Sequence, residues 1–144
     1  MTPTIIYRDA TNGITASQLQ GFFVGWPRPP SAEAHLRMLQ GSDVIVLAID
    51  MANGAVVGFV TALSDGVTSA YVPHLEVLPA YQGQGIGTAL MEHLLAQLRD
   101  LYMIDLLCEP DVQPFYERLG MRRATGMLIR NYDRQSSAAT TANG

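Results

Sequence analysis

Tyr81-Gln82-Gly83-Gln84-Gly85-Ile86-Gly87-Thr88 is the stretch on which the reading of this chain turns. Glycines stand at 83, 85 and 87, alternating with other residues. Glycine lets the backbone turn tightly and present its N–H groups without interference from a Cβ. Upstream, a β-like run ends at Val77-Leu78-Pro79, and downstream an amphipathic helical pattern begins at once. The order strand, glycine loop, helix start aims unpaired N–H donors and a partial positive charge at one point, an anion site suited to phosphate.

Working outward, residues 85–100 read as a helix. At about 100° per residue, Ile86, Leu90, Met91, Leu94, Leu95 and Leu98 share one half of the wheel. Upstream, 43–50, 55–64 and 67–78 read as strands separated by Asn53-Gly54 and Asp65-Gly66, both strong hairpin signals. The middle of the chain is thus an antiparallel meander. Pro73 lies inside the third of these strands and removes a ladder donor, which predicts a bulge or a parting from the neighbouring strand. A parting just before the glycine loop opens a cleft.

Residues 4–8 read as a first strand. Thr15 and Gln18 form a capping box for a short helix ending near Phe22. The run 24–30 is a loop, broken by Pro27, Pro29 and Pro30. Ser31 caps a second helix whose apolar face holds Ala32, Leu36 and Leu39, with Gly41 as its stop. Residues 102–108 read as a buried strand. Asp111 caps a short helix carrying Val112, Phe115, Tyr116 and Leu119, stopped by Gly120, and 121–132 reads as a last strand region. Residues 135–144 are small and polar and read as a disordered tail after a single domain, 1–134.

Composition sets the bounds. A chain of 144 residues with 48% hydrophobic and 15% charged residues has the material for one globular core. Its net charge of −4 argues against a nucleic-acid partner. Cys108 is its only cysteine, so no internal disulfide exists and a reducing, cytoplasmic setting is expected. No apolar run approaches the ~20 residues of a membrane span. No cluster has metal-ligand spacing, so neither a metal nor a membrane is expected.

The glycine loop is not a P-loop, since no lysine lies near it, and Thr88 stands where a dinucleotide fingerprint needs its third glycine. Instead, Gln82-x-x-Gly85-x-Gly87 resembles the acyl-CoA pyrophosphate loop of the Gcn5-related N-acetyltransferase (GNAT) superfamily. Leu75 to Gly83 is similar to that family's fourth strand running into the loop. Pro114-Phe115-Tyr116-Glu117-Arg118-Leu119-Gly120-Met121 resembles its aromatic segment near the C-terminus. The likeness covers roughly 43–133. It implies an α/β (α+β) acyl-CoA N-acyltransferase fold: a mixed, mostly antiparallel twisted sheet of six to seven strands, flanked by about four helices and splayed between the fourth and fifth strands.

The resemblance further implies an acetyltransferase that uses acetyl-CoA as co-substrate and passes the acetyl group directly to a primary amine of a small molecule. The pantetheine arm would pair with the backbone of Leu75, Val77 and Leu78. The pyrophosphate would sit on Gln82, Gly83, Gln84, Gly85, Ile86, Gly87 and Thr88. Tyr116 matches the tyrosine that serves the leaving thiol, and the N–H of Leu75 is the candidate oxyanion donor.

Glu76 is the first candidate for general base and His74 the second; alternation sets Glu76 on the opposite face from Leu75 and Val77. Tyr71 and the loop around Trp26 are expected to shape the acceptor site. Cys108 reads as a small apolar filler and His93 as a solvated side chain. The chain departs from the family pattern at Glu109, where many members have asparagine, and in Gln82 and Gln84, which replace basic loop residues. Two alternatives stay open at this point: a non-catalytic acyl-CoA-binding module, and a protein-amine acetyltransferase. The apolar 127–129 run offers an edge at which a homodimer could form.

Overall fold

The computed structural model describes residues 2–138. Five strands form one sheet in chain order: β1 (Ile5–Arg8), β2 (Val44–Asp50), β3 (Val56–Ser64), β4 (Ser69–Val77) and β5 (Met103–Asp105). The first four pair antiparallel, and β5 pairs parallel to β4. Both predicted hairpins form, with Gly54 at φ +72° and Gly66 at φ +73°. The parallel pairing of β5 requires a crossover. That crossover contains α2 (Ile86–Gln97), which starts at the glycine loop.

The sheet separates two apolar clusters. On one face Val46, Ala48, Val60, Ala62, Ala70 and Val72 pack against Ile86, Leu90, Met91, Leu94 and Leu98. Full burial of each valine, isoleucine, leucine or methionine there contributes about 1.5–3 kcal/mol. Gly58 allows the close approach of α2: a Cβ there would meet Leu90 Cδ1 at 3.0 Å and the Glu76 carbonyl oxygen at 3.3 Å. On the other face Ile45, Leu47, Ile49, Val56 and Phe59 pack against Phe22, Phe23 and Leu39, the last from α1 (Ala32–Gly41). Ser31 caps α1 as expected, its hydroxyl accepting from the Ala34 N–H at 3.1 Å.

Among the described residues five strands stand where six to seven were expected, and three α-helices, the third being α3 (Gln113–Glu117), where about four were expected. The predicted helix after Thr15 is a single 3-10 turn, Ala16–Gln18, although its capping box forms. Leu19 leaves helical backbone (φ −107°, ψ 44°) directly after the turn, and Gly21 (φ +90°) is left-handed within the predicted span. The buried strand expected over 102–108 is only three residues long and lies at the sheet edge, with Met103 and Asp105 exposed. The strand expected over 121–132 does not form: Gly120 (φ +94°) turns the chain, and Gly126 passes against Leu107. A Cβ on Gly126 would fall 2.5 Å from Leu107 Cδ2, so the segment crosses the edge by contact rather than by a ladder. On α1 the predicted Ala32, Leu36 and Leu39 all pack toward the core, Leu39 fully buried and the other two half-buried, and Ala34 and His35 are buried beside them. Of the expected tail, 135–138 is described, with Gln135 Oε1 accepting from the Arg28 N–H at 2.9 Å; 139–144 lies outside the described residues.

Candidate active site

Pro73 does what its chemistry predicts. Thr61 faces His74 while Leu63 faces Tyr71, so β4 carries one extra residue between them and bulges. Before the bulge, Ala70 and Val72 lie on the α2 face; after it, Leu75 and Val77 do. His74 and Glu76 are therefore turned to the opposite face, beside Phe23 and Phe59. The bulge is also where β4 leaves β5, because the parallel pairing ends at Tyr71 and Asp105.

The gap is lined by backbone. The Leu78 N–H bonds to the Val57 carbonyl at 2.9 Å, which fixes the alternation along this antiparallel pair. Residues 74, 76 and 78 turn their N–H and C=O toward β3, and Leu75 and Val77 turn theirs into the gap. Gln82 Nε2 donates to the Val77 carbonyl at 3.0 Å and closes the lower end of the gap. Leu78, expected to help hold the co-substrate, thus spends its N–H on the sheet.

At the foot of the gap lies a cleft of about 280 Å³ lined by Val77, Tyr81, Gln82, Gly83, Gly85, Ile86, Gly87, Thr88 and Phe115. Gly83 (φ +78°) and Gly85 (φ +82°) are left-handed, and a Cβ on either would meet nothing within 4 Å. Glycine is required there for conformation, not for space. No side chain caps α2, and among the described residues no protein acceptor meets the N–H groups of 83–88. These donors, with the helix dipole behind them, form a cradle that fits a pyrophosphate. The loop is tied down by the Tyr81 hydroxyl, which donates to Asp50 Oδ2 at 2.6 Å. That bond, aided by the Ala52 N–H, holds the Asp50 carboxyl below its ordinary range.

A second cleft, about 430 Å³, lies on the other side of β4. Phe23, Val24, Trp26, Phe59, Pro73, His74, Leu75, Glu76, Val77, Pro79 and Gln82 line it, so the two clefts share Val77 and Gln82. Glu76 Oε1 accepts from the Phe23 N–H at 2.9 Å and Oε2 from the Val24 N–H at 3.2 Å. The carboxylate thus tethers the loop at its left-handed Phe23. Burial pushes the His74 imidazole below its ordinary pKa, so it is neutral near pH 7. A neutral imidazole facing a cleft is a competent proton acceptor.

Tyr116 on α3 is half-buried, and its ring meets Phe115 edge-on at 4.9 Å. Burial, with the neighbouring Cys108 thiol second, pushes its phenol up to about 12. It therefore keeps its proton and is available as a donor. Burial also pushes the Cys108 thiol up, leaving it a weak nucleophile. Phe115, not Tyr116, lines the glycine cleft.

The structure brings together Leu75, Glu76, Val77 and the 82–88 loop around one opening. Tyr71, expected to shape the acceptor site, is not among the residues lining the second cleft; its backbone pairs with Asp105, the last residue of β5. Trp26 lines the second cleft. His93 is exposed, its ring stacked on Tyr7 at 5.0 Å. Sequence reasoning missed Phe59, Phe115 and the Phe23–Glu76 tether. It also passed over His35, 1% exposed on the buried face of α1; a lone histidine at helical spacing gives no signal of its surroundings. Among the described residues no group of three or more histidine, cysteine or acidic side chains could hold a metal ion, and no helix is long and apolar enough to cross a membrane.

Comparison with known proteins agrees with this geometry. The model of the Acetyltransferase (GNAT) family matches residues 12–121. A crystal structure of a provisionally assigned acetyltransferase from Deinococcus radiodurans R1 superposes with a TM-score of 0.91 at 47% identity, covering 94% of each chain. The uncharacterized N-acetyltransferase ycf52 of Pyropia yezoensis is 33% identical over 121 residues, covering 80% of this chain and 69% of that protein. The chloroplastic serotonin N-acetyltransferase 2 of Oryza sativa subsp. japonica is 38% identical over 119 residues, covering 78% of this chain and 59% of the rice protein.

Proposed function

The chain belongs to the GNAT acetyltransferase family, and on that premise we propose that it moves the acetyl group of acetyl-CoA to a primary amine of a small molecule, within a ternary complex. One observation carries the reading. The parted strand β4 has a phosphate-fitting N–H cradle at its foot and an open-mouthed cleft lined by aromatic side chains on its far side, and the backbone of Leu75 and Val77 lies between them.

In this reading Gly83, Gly85, Gly87 and Thr88 hold the pyrophosphate with backbone N–H groups, together with those of Gln84 and Ile86, while the Gln82 N–H is spent on the Pro79 carbonyl at 3.3 Å. The pantetheine runs up the gap along Val77 and Leu75. The amine enters the aromatic cleft and loses a proton to the His74 imidazole, directly or through water. Its nitrogen forms a bond to the thioester carbonyl carbon, and the carbonyl oxygen becomes an oxyanion met by the Leu75 N–H. The carbon–sulfur bond then breaks. The departing thiolate takes a hydrogen bond from the Tyr116 hydroxyl; a phenol pushed up to about 12 donates without ionising. Glu76 serves by fixing Phe23 and Val24, which form the cleft wall, since both its oxygens accept from that loop.

The aromatic lining (Phe23, Trp26, Phe59 and the His74 ring) favours an amine carried on an apolar or aromatic body. The rice relative, named for serotonin, points the same way. The protein is proposed to work in the cytoplasm. The exposed Met127, Leu128 and Ile129 are the surface at which a second copy would pair.

Release of free thiol from acetyl-CoA, followed across a panel of aromatic, aliphatic and sugar amines, tests the proposal. Amine-dependent release, strongest with aromatic amines, is expected. Acetyl-CoA binding without amine-dependent release would show the chain to be a binding module instead.

A further inference from the structure

His35 is a costly residue in its place. It is 1% exposed, and neither ring nitrogen has a hydrogen-bond partner among the described residues. Its ring lies 4.3 Å from Phe59, 5.0 Å from Phe23 and 5.1 Å from Phe22, centroid to centroid. An unmet buried polar atom is destabilising, and a phenylalanine at this position would carry none. A second such atom lies close by: Thr61 is 0% exposed, and its hydroxyl also lacks a partner.

Both point to His74. Thr61 is the cross-strand partner of His74, and side chains so paired stand about 4.5–5.5 Å apart at Cβ. Phe59 and Phe23 touch both imidazoles, with His74 at 6.3 Å and 6.1 Å from them. Phe23 and Phe59 thus flank both imidazoles, Thr61 stands across the strand from His74, and of these three polar side chains only His74 lines the acceptor cleft.

We propose that Thr61 and His35 are positioning residues for His74: a buried hydrogen-bonded chain, completed by one or two enclosed waters, binds the far ring nitrogen of His74 and fixes which nitrogen faces the amine. Buried waters typically make ~3 hydrogen bonds to such otherwise unmet groups. The tautomer of an imidazole is set by what its other nitrogen bonds. His35 suits the acceptor end of the chain because it stays neutral, burial and the nearby His74 pushing it down to about 4. No other charge competes. On β4 Glu76 is bound to the Phe23 and Val24 N–H groups; on α1 Glu33 and Arg37 are exposed. On β2 Asp50 is held by Tyr81, β3 carries no titratable side chain, and in the 24–30 loop Arg28 is exposed. The step itself is unchanged: the amine N–H bond breaks, its electron pair stays on nitrogen, and the near nitrogen of His74 takes the proton.

This inference rests on the acetyl-transfer reading, with His74 as base, but its test does not need turnover. The imidazole ¹⁵N shifts of His74, assigned with a His74→Gln variant, should show one tautomer in the protein as it stands. Thr61→Val and His35→Phe should give a mixture, and Thr61→Ser and His35→Gln should restore most of the single form. With an accepted amine, Thr61→Val and His35→Phe should lower kcat about tenfold and leave the KM for acetyl-CoA unchanged. An unchanged His74 tautomer in folded Thr61→Val overturns the proposal, and if His35→Phe fails to fold, the Thr61→Val and Thr61→Ser pair decides alone. A single tautomer lost on substitution, in a protein that releases no thiol with any amine, keeps the chain and sinks the acetyl-transfer reading.

Discussion

Glu76 offers the sharpest separation between a structural and a catalytic carboxylate. Its oxygens accept at 2.9 and 3.2 Å from two consecutive N–H groups, and the first belongs to Phe23, held at φ +63°. Left-handed backbone costs a non-glycine residue about 1–2 kcal/mol. A hydrogen bond to a charged group returns about 1.5–3 kcal/mol, the lower part of that range for a half-buried carboxylate. The tether therefore just outweighs the strain. In Glu76→Gln the amide has one oxygen, and its NH2 faces the other N–H, so one bond is lost and the second weakened. The expected loss is about 1.5 kcal/mol. For a chain of this length, at roughly 2–8 °C per kcal/mol, that is a fall in Tm of several degrees. Phe23, now 4% exposed, would leave the cleft wall, so the KM for the amine should rise several-fold while kcat falls little. Thermal unfolding and steady-state kinetics on the same variant read both. If Tm and amine KM hold while kcat drops a hundredfold or more, Glu76 is the general base and the tether argument fails.

Three further outcomes follow from the same geometry. Gly85→Ala places a Cβ on a residue at φ +82° that opens the cradle; the KM for acetyl-CoA should rise about tenfold with kcat changed less, and an unchanged KM would remove the loop from co-substrate binding. Tyr116→Phe should lower turnover about 10–100-fold without weakening acetyl-CoA binding measured by calorimetry, and full turnover would release Tyr116 from its role. His35 titrates near 4 in the fold against about 6.5 unfolded, so between those values the unfolded chain binds the extra proton. Its stabilising share is complete above pH 6.5 and is lost as pH falls toward 4. The drop in urea midpoint from pH 7 to pH 5 should therefore be smaller in His35→Phe than in the parent protein.

Local signals carried much of the architecture. Asn53-Gly54 and Asp65-Gly66 set the meander because turn chemistry acts over a few residues. The α2 face was legible because Ile86, Leu90, Met91, Leu94 and Leu98 keep helical period against a single layer. Pro73 announced its bulge because a missing donor is a property of one residue. Edges were not legible. Met127, Leu128 and Ile129 look like a strand by composition, yet a strand exists only where a neighbour supplies the ladder. The same holds for β5, shorter and more exposed than its apolar sequence suggests.

By itself, then, the sequence announced a candidate phosphate cradle, since Gly83 and Gly85 permit the left-handed backbone that turns N–H groups outward at the start of α2. It also determined where β4 must part from its neighbour. Only the tertiary structure decided which side chains face the opening that results. The bulge turns His74 and Glu76 away from α2, and residues from 23 to 26 close over them across some fifty positions of chain. Glu76 became a tether and His35 came to lie beneath His74 for one physical reason: a side chain's role depends on the partners packing brings to it, and those partners lie far away in sequence.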